Sequence, residues 1–158
     1  DAASEKYDVD IIFTCPVVEI RRVVEATKHI HVFAPHMDPI PVGRGTADTL
    51  AEAKAIAQLH PDIINPEPSD IIGGGNGVSP MAYVKDSIRV IKEIYPDIMV
   101  EQAAGITNGQ QVYDFIMAGS EAAGAASGIM NAADPLAMID EMIAATRRAA
   151  DDLKKMEG

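Results

Sequence analysis

Short β-branched runs alternate with amphipathic stretches along the whole chain, and that alternation restricts the fold more than any other feature. A strand, a helix and another strand in succession make the βαβ unit of a parallel sheet. Residues 9–14 read as a first strand, and residues 17–26 as a helix with Val17, Ile20 and Val24 at helical spacing. Residues 31–34 predict a second strand, followed by a Pro- and Gly-rich loop over 35–46. Asp48 is placed to cap a helix in which Leu50, Ala53 and Ala57 share a face. Residues 62–65 predict a third strand. Ser79 and Pro80 then read as an N-cap and first helical position, and Met81, Val84, Ile88 and Ile91 carry that helix onward. A fourth strand starts over 98–100, a helix covers 110–118, and the small residues 122–126 predict a fifth strand. Asp134 caps and Pro135 opens a last helix, expected to bury Leu136, Ile139, Ile143 and Leu153. Lys154 and Lys155 suit its C-terminus, and the methionines of this region read as core filling.

The 158 residues suffice for one domain with a substantial core, spanning 1–158. The alternation permits two architectures, an open doubly wound sheet or part of a (β/α)8 barrel. A complete barrel takes about 250 residues, so length alone favours the open sheet. No apolar run approaches the roughly 18 residues of a membrane span, and the polar residues 1–6 do not read as a secretory leader. The single Cys15 rules out an intramolecular disulfide framework and suits a reducing cytoplasm. It reads as a small buried hydrophobe rather than a nucleophile. A formal net charge of −11 argues against nucleic-acid and membrane partners. It also opposes any anionic substrate at long range, so a phosphate site here has to be built locally from backbone N–H groups and helix N-termini.

Glu67 is the chemically loaded residue. It stands between two prolines in Asn65-Pro66-Glu67-Pro68, with Gly73, Gly74, Gly75 and Gly77 shortly after it. A residue before proline is pushed out of the α region, so Asn65 and Glu67 are both expected to be extended. A carboxylate held stiffly at a strand end, beside a glycine segment free to move, meets the needs of a proton-abstracting base under a closing loop. The same residues also describe a Pro-rich turn with a solvated glutamate.

Two further strand ends have suitable composition for an anion. Gly105-Ile106-Thr107-Asn108-Gly109 and Ala126-Ser127-Gly128 each precede a helical stretch, and small residues let a phosphate approach backbone N–H groups. Either alone reads equally as an ordinary strand-to-helix turn; two beside a constrained carboxylate point to a small phosphorylated substrate. The glycine run at 73–77 lacks the lysine of a P-loop and the spacing of a dinucleotide fingerprint. His29, His31, His36 and His60 are scattered and lack metal-ligand spacing. His36 ends a strand and is expected to be a structural, hydrogen-bonded histidine.

Several segments together resemble the triosephosphate isomerase family in its shorter, archaeal form. Residues 66–75 (PEPSDIIGGG) resemble the family's sixth-strand loop, and 33–40 (FAPHMDPI) its third strand and interface loop. Residues 103–109 (AAGITNG) and 124–128 (GAASG) are similar to its seventh and eighth loops. The resemblance implies an incomplete (β/α)8 TIM barrel. It implies interconversion of dihydroxyacetone phosphate and D-glyceraldehyde 3-phosphate through an enediol without a cofactor, a step of glycolysis and gluconeogenesis. On it, Glu67 matches the catalytic base, Ile72 lies in the mobile lid, and Gly105, Ala126 and Ser127 match the positions that hold the substrate phosphate.

Two family features are not found: the Asn-x-Lys of the first strand and the electrophilic histidine of the fourth. The chain reads as opening near the end of the first helix, then passing at Gly45-Thr46-Ala47-Asp48 from the third-strand loop to the helix after strand five. Strands one, four and five are therefore expected to be absent, and the literal chain is expected to turn over poorly. Losing one donor to a developing oxyanion costs about 10²–10³ in rate. A catalytically impaired phosphate-ligand-binding module is the alternative reading. The loop 37–44, with Met37, Ile40, Val42 and Arg44, resembles the family's interface loop and implies a homo-oligomer.

Overall fold

The computed structural model describes residues 11–14, 17–26, 30–34, 49–68, 77–103 and 105–158. Among these residues, five strands form one sheet in sequence order: β1 (Ile11–Thr14), β2 (Ile30–Ala34), β3 (Ile63–Ile64), β4 (Met99–Gln102) and β5 (Ala122–Ala123). Every neighbouring pair is parallel. The connections carry α1 (Val17–Ala26), α2 (Thr49–Ala57), α3 (Met81–Ile94) and α4 (Gly109–Met117), and after β5 come α5 (Ser127–Met130) and α6 (Pro135–Glu157). A doubly wound sheet reverses its strand order at a switch point; this order never reverses. Right-handed crossovers running one way across a sheet put their helices on one face. The result is an α/β fold whose parallel sheet is flanked by helices and not closed into a barrel, consistent with an incomplete (β/α)8 barrel. Among the described residues, no helix is long and apolar enough to cross a membrane.

Strand pleating divides the side chains between the two faces. Ile64 and Val100 are register partners and both are almost wholly buried, in a core shared with Ala53, Ile56 and Ala57 of α2 and Ile91 of α3. Successive residues of a strand point to opposite faces, so Ile63 and Met99, also partners, point away from the helices. Met99 is 40% exposed there. We call this second surface, the lumen side of a closed barrel, the inner face.

Polar contacts close the N-terminal edge of the sheet. Lys92 Nζ donates to the carbonyls of Pro96 and Ile98 and pairs with Glu121, whose Oε2 accepts the Val100 N–H. His60, left-handed at φ 53°, ends the turn after α2 and stacks on Tyr95 with ring centroids 4.2 Å apart. His60 is thus structural; His36, for which a structural role was expected, lies outside the described residues, as do Cys15 and the side chains of His29 and His31. Among the described residues, no group of His, Cys, Asp and Glu could hold a metal ion.

A second core joins α3, α4 and α6 around Val84, Ile106, Val112, Phe115 and Ile116. Here the sequence expectation for the last helix needs correction. The buried positions are Met142, Ala145 and Ala149, flanked by the partly buried Met138 and Leu153. Leu136 is 74% exposed, and Ile139 and Ile143 also face solvent. Two apolar stripes compete on α6, and the one containing alanines packs, because small side chains let α6 lie close against α4. Arg148 over the Tyr113 ring and the Tyr113 hydroxyl donating to Asp152 fasten the same contact. The methionines divide accordingly: Met142 is core, whereas Met130 and Met156 are exposed.

The caps follow local chemistry. Asp134 accepts from the N–H groups of Leu136 and Ala137, as its place before Pro135 predicts. Asn108 caps α4 through the Gln111 N–H. Ser79 does not cap α3: Pro80 takes that position without a side-chain bond, and the Ser79 hydroxyl is buried with no partner among the described residues. The packing of α6 is open to test by truncation. Met142→Ala should cost about 2–5 kcal/mol in urea unfolding, whereas Leu136→Ala should cost under about 0.5 kcal/mol. Equal losses would restore the Leu136 face as the buried one.

Candidate functional site

Because the strands are parallel and adjacent, whatever follows them collects along one edge. Glu67, Gly105 and Ala126 each stand three residues beyond the last residue of their strand, on β3, β4 and β5 respectively. The topology therefore brings three of the five sequence-predicted site residues into one row, with Ser127 next to Ala126. Ile72, the predicted lid residue, and the loop 37–44 lie outside the described residues.

The loops of this row are packed through backbone. Gly105 has φ +72°, and a Cβ on it would fall 1.9 Å from the Gly77 carbonyl oxygen, so the loop after β4 lies directly on the segment leading into α3. A Cβ at Gly128 would come within 2.0 Å of the Ile106 carbonyl oxygen, which locks the turn after β5 onto the loop after β4. Glycine is required at both places for close approach.

Part of the predicted anion cradle is already satisfied from within. The Thr107 N–H donates to Gln111 Oε1 at 2.7 Å, and the Gly109 N–H to Glu141 Oε1 of α6 at 2.6 Å. The Glu141 carboxylate thus takes the position at the start of α4 where an external anion was expected. The turn Ala126-Ser127-Gly128 differs, for no side chain caps α5. Of the positions expected to receive a phosphate, the start of α4 is thus taken by Glu141, which leaves the expectation with Gly105 and the Ala126–Ser127 turn.

Sequence reasoning missed Glu101. It lies on β4 between Val100 and Gln102, both fully buried toward the helices, so pleating turns it to the inner face. Its Oε1 would be 2.5 Å from a Cβ on Gly124, placing the carboxylate against the β5 end. Burial pushes the Glu101 carboxyl above the ordinary carboxylate range, and the neighbouring Glu67 carboxylate adds to that rise. The available signal was parity: in Met99-Val100-Glu101-Gln102, the acid falls on the face opposite Val100. Gln102, pointing the other way, donates from Nε2 to Ser87 Oγ inside the core.

No family model matches the chain. Triosephosphate isomerase from Methanothermus fervidus is 27% identical over 192 aligned positions, covering 90% of this chain and 86% of that protein. The corresponding protein of Saccharolobus solfataricus is 26% identical over 198 positions, covering 92% and 85%. Since 90% of 158 residues supplies about 142 of the 192 positions, about 50 positions of the first relative stand opposite a gap in this chain. A chain of the Amycolatopsis orientalis BexX/CysO complex shares the fold with a TM-score of 0.57 at 17% identity. The match covers 84% of this chain but spans only 47% of that one. Relatives and shared fold together support a place in the TIM-barrel superfamily that includes sugar-phosphate isomerases. They do not single out an archaeal subtype.

Two measurements check this geometry. Gly105→Ala should lower the urea midpoint by the equivalent of about 1–3 kcal/mol, the range for strain at a special backbone conformation. An unchanged midpoint would mean that Gly105 does not touch the 77–78 backbone. For Glu101, a raised folded-state pKa favours the protonated form fully below the unfolded value, and this advantage is lost as pH rises through the folded value. Ionised Glu101 is therefore a cost at neutral pH. Glu101→Gln should raise Tm by about 1–3 °C near pH 7 and change it little near pH 4. A difference independent of pH would remove burial of the charge as the cause.

Proposed function

We propose that the chain belongs to the triosephosphate isomerase lineage and interconverts dihydroxyacetone phosphate and D-glyceraldehyde 3-phosphate through an enediol. The observation that carries this reading is the row of strand ends, Glu67, Gly105 and Ala126–Ser127, on three adjacent parallel strands. The relatives named triosephosphate isomerase, matched over most of their length, support it. In this reading Glu67 removes a proton from C1 of dihydroxyacetone phosphate and returns it to C2. The rigid Pro66-Glu67-Pro68 segment holds the carboxylate in place. Backbone N–H groups at Gly105, Ala126 and Ser127 receive the phosphate, and Ile72 belongs to the covering loop. No cofactor is needed for the transfer. The reaction belongs to glycolysis and gluconeogenesis in a reducing cytoplasm, and the loop 37–44 joins copies of the chain.

A second reading, a phosphate-ligand-binding module with impaired chemistry, draws on the family donors not found in the sequence, the Asn-x-Lys and the electrophilic histidine. Losing one donor to a developing oxyanion costs about 10²–10³ in rate, so slow turnover is expected in either case.

Glu67→Gln separates the two. With a coupled assay of dihydroxyacetone phosphate conversion, the unsubstituted chain should show weak turnover, falling about 10²–10⁴-fold in Glu67→Gln, the usual contribution of a general base. Affinity for glycerol 3-phosphate should stay within about threefold. Turnover that survives the substitution sinks the isomerase reading; binding without any turnover in the unsubstituted chain selects the module.

A further inference from the structure

The inner face beside Glu67 presents more hydrogen-bond acceptors than donors: among the described residues there, the carboxylates of Glu67 and Glu101 and the Oδ1 of Asn65 stand against the one amide NH2 of Asn65. In the β3–β4 register Ile63 pairs with Met99 and Ile64 with Val100, so the next rung sets Asn65 beside Glu101. Val100 is directed into the helix layer, so pleating within β4 places Glu101 on the inner face, and carrying the alternation of β3 past its last residue, Ile64, puts Asn65 and Glu67 on the same side. Asn65 is 8% exposed, yet its Oδ1 has no partner among the described residues. A buried carbonyl-type oxygen of this kind calls for a donor. The Glu101 carboxylate is acceptor-only when ionised, and it lies against Gly124, where a side chain would collide with it. The glycine leaves the carboxylate its place.

Resting on the reading of this edge as a site for a phosphorylated sugar, we propose that Asn65 and Glu101 form a hydroxyl-reading subsite beside Glu67. It binds the polyol end of the substrate rather than its phosphate. The chemistry of the donor set selects the ligand class. Two carboxylates and an amide oxygen repel phosphate and accept O–H groups. A metal ion fits less well, since no group of three or more His, Cys, Asp and Glu side chains among the described residues could hold one. The same repulsion orients the ligand: its phosphate is driven away from β3 toward Gly105 and the Ala126–Ser127 turn, while its hydroxyls settle against Glu101 and Asn65. Specificity thus comes from a repulsive element as much as an attractive one. Glu101 is a binding residue here, distinct from Glu67, which moves the proton.

Calorimetric titration with two compounds sharing a phosphate tests the subsite: glycerol 3-phosphate, which carries two hydroxyls, and n-propyl phosphate, which carries none. The intact chain should bind glycerol 3-phosphate about tenfold more tightly, a factor typical of hydrogen bonds to charged groups. In Glu101→Ala and Asn65→Ala that preference should fall to about twofold or less, with n-propyl phosphate binding unchanged. Where alanine at 101 does not fold, Glu101→Leu makes the same comparison with the volume retained, and the titration of the intact chain is decisive without any variant. Equal affinity for both compounds in the intact chain overturns the subsite and leaves the phosphate site standing. A preference that persists without Glu101, or that requires added Mg²⁺, also overturns it. Failure to bind either compound overturns the sugar-phosphate reading and this inference together.

Discussion

The ladder between β3 and β4 is the constraint on which the rest of the structure depends. Two register pairs, Ile63 with Met99 and Ile64 with Val100, decide which side chains enter the helix layer and which are left on the inner face. Sliding β4 by one residue along β3 would turn Val100 to the inner face and Met99 and Glu101 into the helix layer, leaving Ile64 without its partner in the core. The buried apolar area on one side thus fixes the polar chemistry on the other. Parallel pairing adds the second requirement, by bringing the C-terminal ends of successive strands to one edge so that Glu67, Gly105 and Ala126 form a row.

The two carboxylates, Glu101 and Glu67, carry a cost in stability. Glu101 is held above the ordinary carboxylate range by burial and by Glu67. A neutral residue would avoid that cost. Asn65 adds a buried oxygen without a donor, the kind of unmet requirement that native cores rarely tolerate. At the N-terminal end of the sheet polar groups are well satisfied, as in the Lys92–Glu121 cluster. Unmet polar atoms near Glu67 therefore contrast with careful satisfaction at the other end of the sheet.

Much of this was legible from residue order. The βα alternation predicted five parallel strands, and the glycines at 105 and 128 stand where backbones meet. Asp134 before Pro135 announced its cap because that chemistry is local. What escaped depended on tertiary choice. Leu136, Ile139 and Ile143 make an apolar stripe as regular as Met138, Met142, Ala145 and Ala149, and only the nearness of α4 selects the second. Ser79 had the right chemistry for a cap but is buried one position too early. Glu101 escaped because a lone acid in a four-residue strand acquires meaning only from neighbours on β3 and β5 that are distant in sequence. Glu141, which fills the start of α4, sits 32 residues from the N–H it accepts.

Among the described residues, the two outer strands of the sheet, β1 and β5, are unequal. β5 contributes two alanines, whereas β1 offers Ile-Ile-Phe-Thr, twice the length and far more adhesive as a template. A very short border strand gives an incoming chain few rungs to grip, one of the ways natural sheets avoid growing by addition. Joining the β1 border of one copy to the β5 border of the next is a head-to-tail contact, which leads to rings or to filaments without end. The brevity of β5 thus acts as a terminator: it denies such a chain its second handhold and biases the fold against polymerising through its own sheet.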